Sequence, residues 1–223
     1  MMMKKHLALL LLLAITLAYS CKKETEDSID MGFDYFPTEV GAYHIYSVDS
    51  IVFDDYNNRI DTFSFKVKME FVSTFTDNAN NEAYRWRKSS KTDTTDWAFC
   101  SNNTISKSKS NIETVVENVR FVNLIFPVVA GNTWDANAKN SESKIASIFS
   151  DVDFDETILG KTYQNCALAS YEDEVNLIQE FVHYEIYAKN IGLVKRKRIH
   201  KELKTSGTSG YNVEYLLLEY GKQ

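Results

Sequence analysis

Phe63-Ser64-Phe65-Lys66-Val67-Lys68-Met69-Glu70-Phe71-Val72-Ser73-Thr74-Phe75 sets an apolar residue at alternate positions from Phe63 to Phe71 and again at Phe75. Ser64, Lys66, Lys68, Glu70 and Thr74 stand between them. A period of two over that length is an antiparallel strand with one face on a core and one in water. Working outward, Tyr43 to Phe53 reads as the preceding strand, joined through the turn Asp54-Asp55-Tyr56-Asn57-Asn58, whose Asp and Asn side chains bond their own backbone. Asp77-Asn78-Ala79-Asn80-Asn81 makes the next turn, and shorter strands follow around Tyr84 and Trp86 and around Trp97 and Phe99.

The stretch Ile112 to Phe126 fits two readings. Ile112, Val115, Val116, Val119 and Val122 suit helical spacing, with Ser110 and Glu113 as a capping box. Its four valines would lose rotamer freedom in a helix, so we read it as strand. Strand and turn then alternate through 144–154, 166–171, 175–188, 192–202 and 211–220, with Gly207-Thr208-Ser209-Gly210 as the hairpin loop joining the last two. The expected fold is mostly β: nine or ten strands in an antiparallel meander forming a strongly curved sheet, half-barrel or barrel, with at most one short helix. A sandwich is the alternative. The only prolines sit in Phe36-Pro37-Thr38-Glu39-Val40-Gly41 and Phe126-Pro127-Val128-Val129-Ala130-Gly131, and these read as equivalent turns that start strands.

The chain opens with an address. Lys4, Lys5 and His6 precede an uncharged run from Leu7 to Ala18, which is too short to span a bilayer and of the right length for a secretory signal. It ends Leu17-Ala18-Tyr19-Ser20-Cys21, which resembles a lipobox, although Tyr19 is bulkier than usual there. That resemblance implies that Cys21 carries the lipid anchor, since stable retention needs more than one acyl chain. Three segments follow: 1–20 a lipoprotein signal peptide, 21–32 a flexible charged stem, and 33–223 a single β-rich domain.

Removal of the signal leaves 23 basic and 31 acidic residues, a charge of −8 obtained as 23 minus 31, which argues against nucleic acid as a partner. Cys100 and Cys166 remain, and in an exported protein they either form one disulfide or sit as free thiols. His44, His183 and His200 are scattered and no Cys-x-x-Cys occurs, so no metal site and no cofactor is expected. Asp151, Asp153 and Asp155 resemble the start of a calcium loop, but Glu156 stands where that loop needs Gly; the wet face of a strand is the simpler account. Lys195-Arg196-Lys197-Arg198 meets either anionic headgroups or solvent along a charged strand. Trp86, Trp97 and Trp134 are candidates for a ligand lining, against the commoner role of aromatics as core. Asp27-Ser28-Ile29, Asp49-Ser50-Ile51 and Asp93-Thr94-Thr95 resemble a tripeptide at which Bacteroidota O-glycosylate exported proteins, and Ser28 in the stem is the most accessible acceptor.

Phe126-Pro127, Gly131 and Trp134, followed by Tyr184-Glu185-Ile186-Tyr187-Ala188-Lys189-Asn190-Ile191-Gly192-Leu193-Val194, resemble a group of uncharacterised Bacteroidota outer-membrane and surface lipoproteins. The charged stretch after Cys21 resembles their surface-export signal. The likeness implies a half-barrel similar to that of lipoprotein-carrier proteins and an outer-membrane lipoprotein displayed at the cell surface; it brings no catalytic residue. Nucleophile elbows, phosphate loops and metalloprotease helices are absent, so no enzyme is expected. The expected function is a membrane-tethered binding or scaffold module whose partner is an envelope protein, a glycan or a lipid. The alternatives are a carrier of a hydrophobic ligand and, further off, an unrecognised hydrolase.

Overall fold

The computed structural model describes residues 29–78, 80 and 82–223. The signal, Cys21 and Ser28 lie outside the described residues. One 3-10 turn, Phe33–Tyr35, precedes twelve strands: β1 (Ala42–Asp54), β2 (Arg59–Thr76), β3 (Glu82–Lys91), β4 (Ala98–Lys107), β5 (Asn111–Val116), β6 (Val119–Ile125), β7 (Thr133–Asp135), β8 (Ala146–Ile158), β9 (Lys161–Val175), β10 (Gln179–Ala188), β11 (Gly192–Lys204) and β12 (Gly207–Lys222). They form one antiparallel sheet in the order β6-β5-β4-β3-β2-β1-β12-β11-β10-β9-β8-β7. The curved meander read from the period-two pattern is therefore a nearly closed barrel.

Its seam lies between the edge strands. Val122 N–H donates to Ala136 O at 2.9 Å, Trp134 Nε1–H to Val122 O at 3.0 Å, and Asn140 Nδ2 to Arg120 O at 2.8 Å. β1 to β6 and β7 to β12 are two six-strand meanders, joined where β1 pairs with β12. The two proline-glycine turns open these halves and are built alike. Gly41 N–H donates to Phe71 O and Gly131 N–H to Phe149 O, each at 2.8 Å, and Phe71 and Phe149 both belong to the second strand of their half. Both glycines have φ +87°, a left-handed backbone in which any side chain would be strained.

Twelve strands exceed the nine or ten expected because the 112–126 stretch is two strands and β7, three residues long, was not read. The reading of 175–188 as one strand missed the turn over 176–178, and that of 112–126 missed the hairpin between β5 and β6. Glu117 and Asn118 make the latter with φ of 50° and 66°, the double left-handed geometry of a tight hairpin, without the glycine that normally marks one. Conversely, Gly207 to Gly210 is not the hairpin loop: the turn is at residues 205–206 and the glycines lie within β12. A Cβ on Gly210 would lie 1.9 Å from His200 O, so the residue is glycine to let β11 and β12 approach.

Within β2, Val67, Met69 and Phe71 are buried, whereas Phe63 is 52% exposed. Eighteen residues at about 3.3 Å each outrun the height of the core. The residues after the stem close the end of the barrel at which β1 begins, the floor. Tyr35 is 1% exposed and its hydroxyl donates to Asp153 Oδ1 at 3.0 Å, while Lys107 Nζ donates to the carbonyls of Phe33 and Phe36, both at 2.8 Å. Phe36 packs edge-on to Phe71.

Of the two alternatives for the cysteines, the disulfide is not formed. Both are free thiols: Cys100 is exposed on β4 and Cys166 buried on β9, strands that are not neighbours in the sheet. Burial pushes the Cys166 thiol up to about 11.

Candidate ligand cavity

Strand alternation sorts β10 and β11 into an outer and an inner face. On β11 the outer Lys195 pairs with Glu156 at 3.1 Å and the outer Lys197 with Glu214 at 3.7 Å. Arg196 and Arg198 point the other way, into the barrel, opposite Glu185 and His183 of β10. The basic run is thus half surface and half interior, on a central strand rather than an edge.

A cavity of about 520 Å³ occupies that interior, within the range of roughly 300–1,000 Å³ typical of small-molecule sites. Ten of the twelve strands contribute to its lining, which makes it the barrel's inside and not a surface groove. At mid-height Glu185, 1% exposed, accepts from Arg196 Nε at 2.5 Å on one carboxylate oxygen and from the Tyr187 hydroxyl on the other. Tyr171 OH offers its single proton to Glu185 Oε2 at 3.2 Å and to Asn123 O at 2.7 Å. Burial by itself would raise the Glu185 carboxyl, but the Arg196 guanidinium and the hydrogen bonds outweigh it and hold the group well below the usual carboxylate range. His183 stacks on Tyr171 with centroids 4.5 Å apart, and its Nε2 is 3.6 Å from Glu185, past hydrogen-bond reach. Burial lowers the His183 imidazolium below its ordinary value, against the pull of Glu185.

This cluster organises the site and is poorly suited to proton transfer. A carboxylate held ionised by Arg196 and two tyrosines is a weak base, and no serine or cysteine lines the cavity among the described residues. Three polar atoms of lining residues lack partners. Trp86 Nε1, Asn123 Oδ1 and His183 Nε2 are buried without a hydrogen-bond partner, an arrangement that costs about 1–3 kcal/mol per group unless something fills it. Lys88 Nζ lies 3.5 Å from Tyr215 OH and Arg198 is exposed at the upper end; neither forms an ion pair among the described residues.

Of the three tryptophans that were candidates for a ligand lining against the commoner role of core, the structure places only Trp86 here. Trp134 is core, packed on Phe149 and Tyr171, and Trp97 is 37% exposed beneath Lys91, whose Nζ is 4.9 Å from the ring centre. Asp153 accepts from Tyr35 and faces Lys189 at 3.7 Å, which agrees with the wet-strand account of the three aspartates. Glu185 and the inward arginines escaped the sequence reading, although the Asn190 hairpin, once placed, sets Glu185 directly across from Arg196.

No protein-family model and no curated protein matches the chain. Among solved structures it is similar to a candidate lipoprotein of Parabacteroides distasonis, with a TM-score of 0.42 and 11% identity over 84% of this chain and 98% of that one. It is also similar to a candidate exported protein with a YmcC-like fold from Bacteroides fragilis, with a TM-score of 0.42, 10% identity and the same coverage of 84% and 98%. Likeness at this level carries no residue and no activity across.

Proposed function

We propose that this chain is a membrane-tethered, non-catalytic binding protein of the bacterial cell envelope whose barrel interior takes a small ligand. The observation that carries the reading is the 520 Å³ cavity lined by ten of the twelve strands. The signal and the Cys21 lipobox support the tether, and the charged stretch after Cys21 supports display at the outer-membrane surface. Native mass spectrometry of the lipoprotein extracted from its own cells is expected to show a bound small molecule; a ligand-free protein carrying a stoichiometric protein partner would overturn the reading. That scaffold reading rests on the β9–β10 hairpin tip, where Val175, Leu177 and Ile178 are 65%, 94% and 67% exposed.

The tether is tested separately. Cys21→Ala is expected to abolish acylation and release or mislocalise the protein, and unchanged membrane retention in a fractionation experiment would refute the anchor.

A further inference from the structure

Three cations in the cavity wall face one carboxylate. Lys88, Arg196 and Arg198 line the interior, and among the described residues Glu185 is its only acid. Burial lowers the two lining histidines, His44 and His183, below their ordinary value, so they add no charge near neutral pH. Glu185 is taken up by Arg196 through Nε, and the terminal nitrogens of that guanidinium have no partner among the described residues. A chain of net charge −6 thus keeps two positive charges inside that the wall does not offset.

The cations converge on one tyrosine. Lys88 Nζ lies 3.5 Å from the Tyr215 hydroxyl and 5.9 Å from the centre of its ring, and the Arg196 guanidinium carbon lies 5.6 Å from the same centre. β2 and β1 separate β3 from β12 in the sheet, so Lys88 meets Tyr215 across the bore of the barrel. The Tyr215 hydroxyl donates to no described residue. Arg198 stands two residues beyond Arg196 on the same face, about 7 Å along the strand, and its cross-strand neighbours there, His183 and Val213, are not acids. The register of β2 and β3 sets Lys88 across from Met69 and Trp86 across from Phe71, so apolar side chains flank the ammonium.

We infer that the ligand is an organic phosphate monoester whose phosphoryl group sits at Tyr215, between Lys88 and Arg196. This rests on the interior being a ligand site. An offset charge of two selects a dianion over a single carboxylate, and convergence at one tyrosine selects one doubly charged group over two separated carboxylates. The ammonium, the guanidinium and the hydroxyl are three donors for the three terminal oxygens of a phosphoryl group. The apolar flanks of Lys88 select an ester over the free ion.

Calorimetric titration tests this on the mature chain from residue 21, made without the signal so that no acyl chain of its own competes. The probes are phenyl phosphate, benzoate, benzyl alcohol and inorganic phosphate, at a pH well above the second phosphate ionisation of about 6. Phenyl phosphate is expected to bind about tenfold or more tighter than each of the other three. Lys88→Gln should weaken it about tenfold and Tyr215→Phe about threefold, with benzyl alcohol unchanged. Lys197→Gln removes the same charge from the outer face and should leave phenyl phosphate unchanged, which separates contact from the field of the whole chain. Lys88 lacks an ion-pair partner, so an unchanged melting temperature will show that its variant folds. Benzoate binding as tightly as phenyl phosphate, no effect of Lys88→Gln, or an equal loss in Lys197→Gln would overturn the phosphate inference while leaving the cavity a ligand site. Inorganic phosphate binding as tightly as the ester would overturn the organic body. If no probe binds, the phosphate is wrong, and a small molecule seen on the native protein by mass spectrometry would still uphold the broader reading.

Discussion

Arg196→Met is expected to cost about 3–5 kcal/mol of folding stability, because it leaves Glu185 buried with no counter-charge. Glu185 has a side chain only 2% exposed, whereas that of Arg196 is 20% exposed to the cavity. The reverse change, Glu185→Gln, should therefore cost less: it strands a guanidinium that cavity water still reaches. The pair Glu185→Leu with Arg196→Leu should recover much of the loss, since two matched apolar residues leave no orphan charge. Urea unfolding of the four proteins measures these losses. The pH dependence supplies an independent sign. In the native protein the Glu185 carboxyl titrates below its ordinary value of 4.5, so its contribution is present above that value and is lost as pH falls below it. In Arg196→Met, burial without the guanidinium raises the carboxyl above that value, so the contribution is present at low pH and lost as pH rises through the raised value. The variant should be relatively more stable at pH 5 than at pH 7. A loss under about 1 kcal/mol with no such reversal would show that the pair is effectively solvated.

The same cluster shows what could be read from the chain and what could not. Alternation in residues 63–75 identified a strand and a curved sheet, because a half-buried strand repeats every two residues wherever its partner lies. The Pro37 and Pro127 turns were legible because glycine with positive φ and proline at a strand entry are local demands. The β5–β6 hairpin was hidden because Glu117 and Asn118 adopt left-handed backbone without glycine, under the constraint of the strands on either side. Lys195 to Arg198 looked like surface because four successive charges in an acidic protein normally face water. Only the pairing of β11 with β10 and β12 turns alternate members inward. The cavity is a property of twelve strands closing on themselves, and no window of sequence contains it. Trp86 was legible as a candidate for the lining, but its distinction from Trp97, which precedes β4, and from Trp134, which packs at the seam, depends on where each sits in the closed sheet.

The seam leads to the second large effect. Trp134→Ala is expected to destabilise the fold by about 3–5 kcal/mol, the usual cost of deleting a buried aromatic. Trp134 is 9% exposed, lies 4.8 Å from the Phe149 ring centroid, and its indole N–H holds the Val122 carbonyl across the gap between β6 and β7. Trp134→Phe keeps most of the packing and leaves that carbonyl unpaired, at about 1–3 kcal/mol. The amide of Val122, which donates to Ala136 O, should exchange its hydrogen markedly faster in Trp134→Ala, while amides of the β1–β12 pairing keep their protection. An opened seam also frees two strand edges, so the variant should aggregate as it unfolds. Tyr43 supplies the internal control. It stands two residues after Gly41, whereas Trp134 stands three after Gly131, and one step along a strand reverses the face. Tyr43 accordingly points out, where its hydroxyl bonds Glu219 at 2.6 Å, and β1 lies mid-sheet with neighbours on both sides. Tyr43→Ala should cost about 1 kcal/mol or less in the same unfolding assay. Equal losses for the two would mean that the seam draws nothing particular from Trp134.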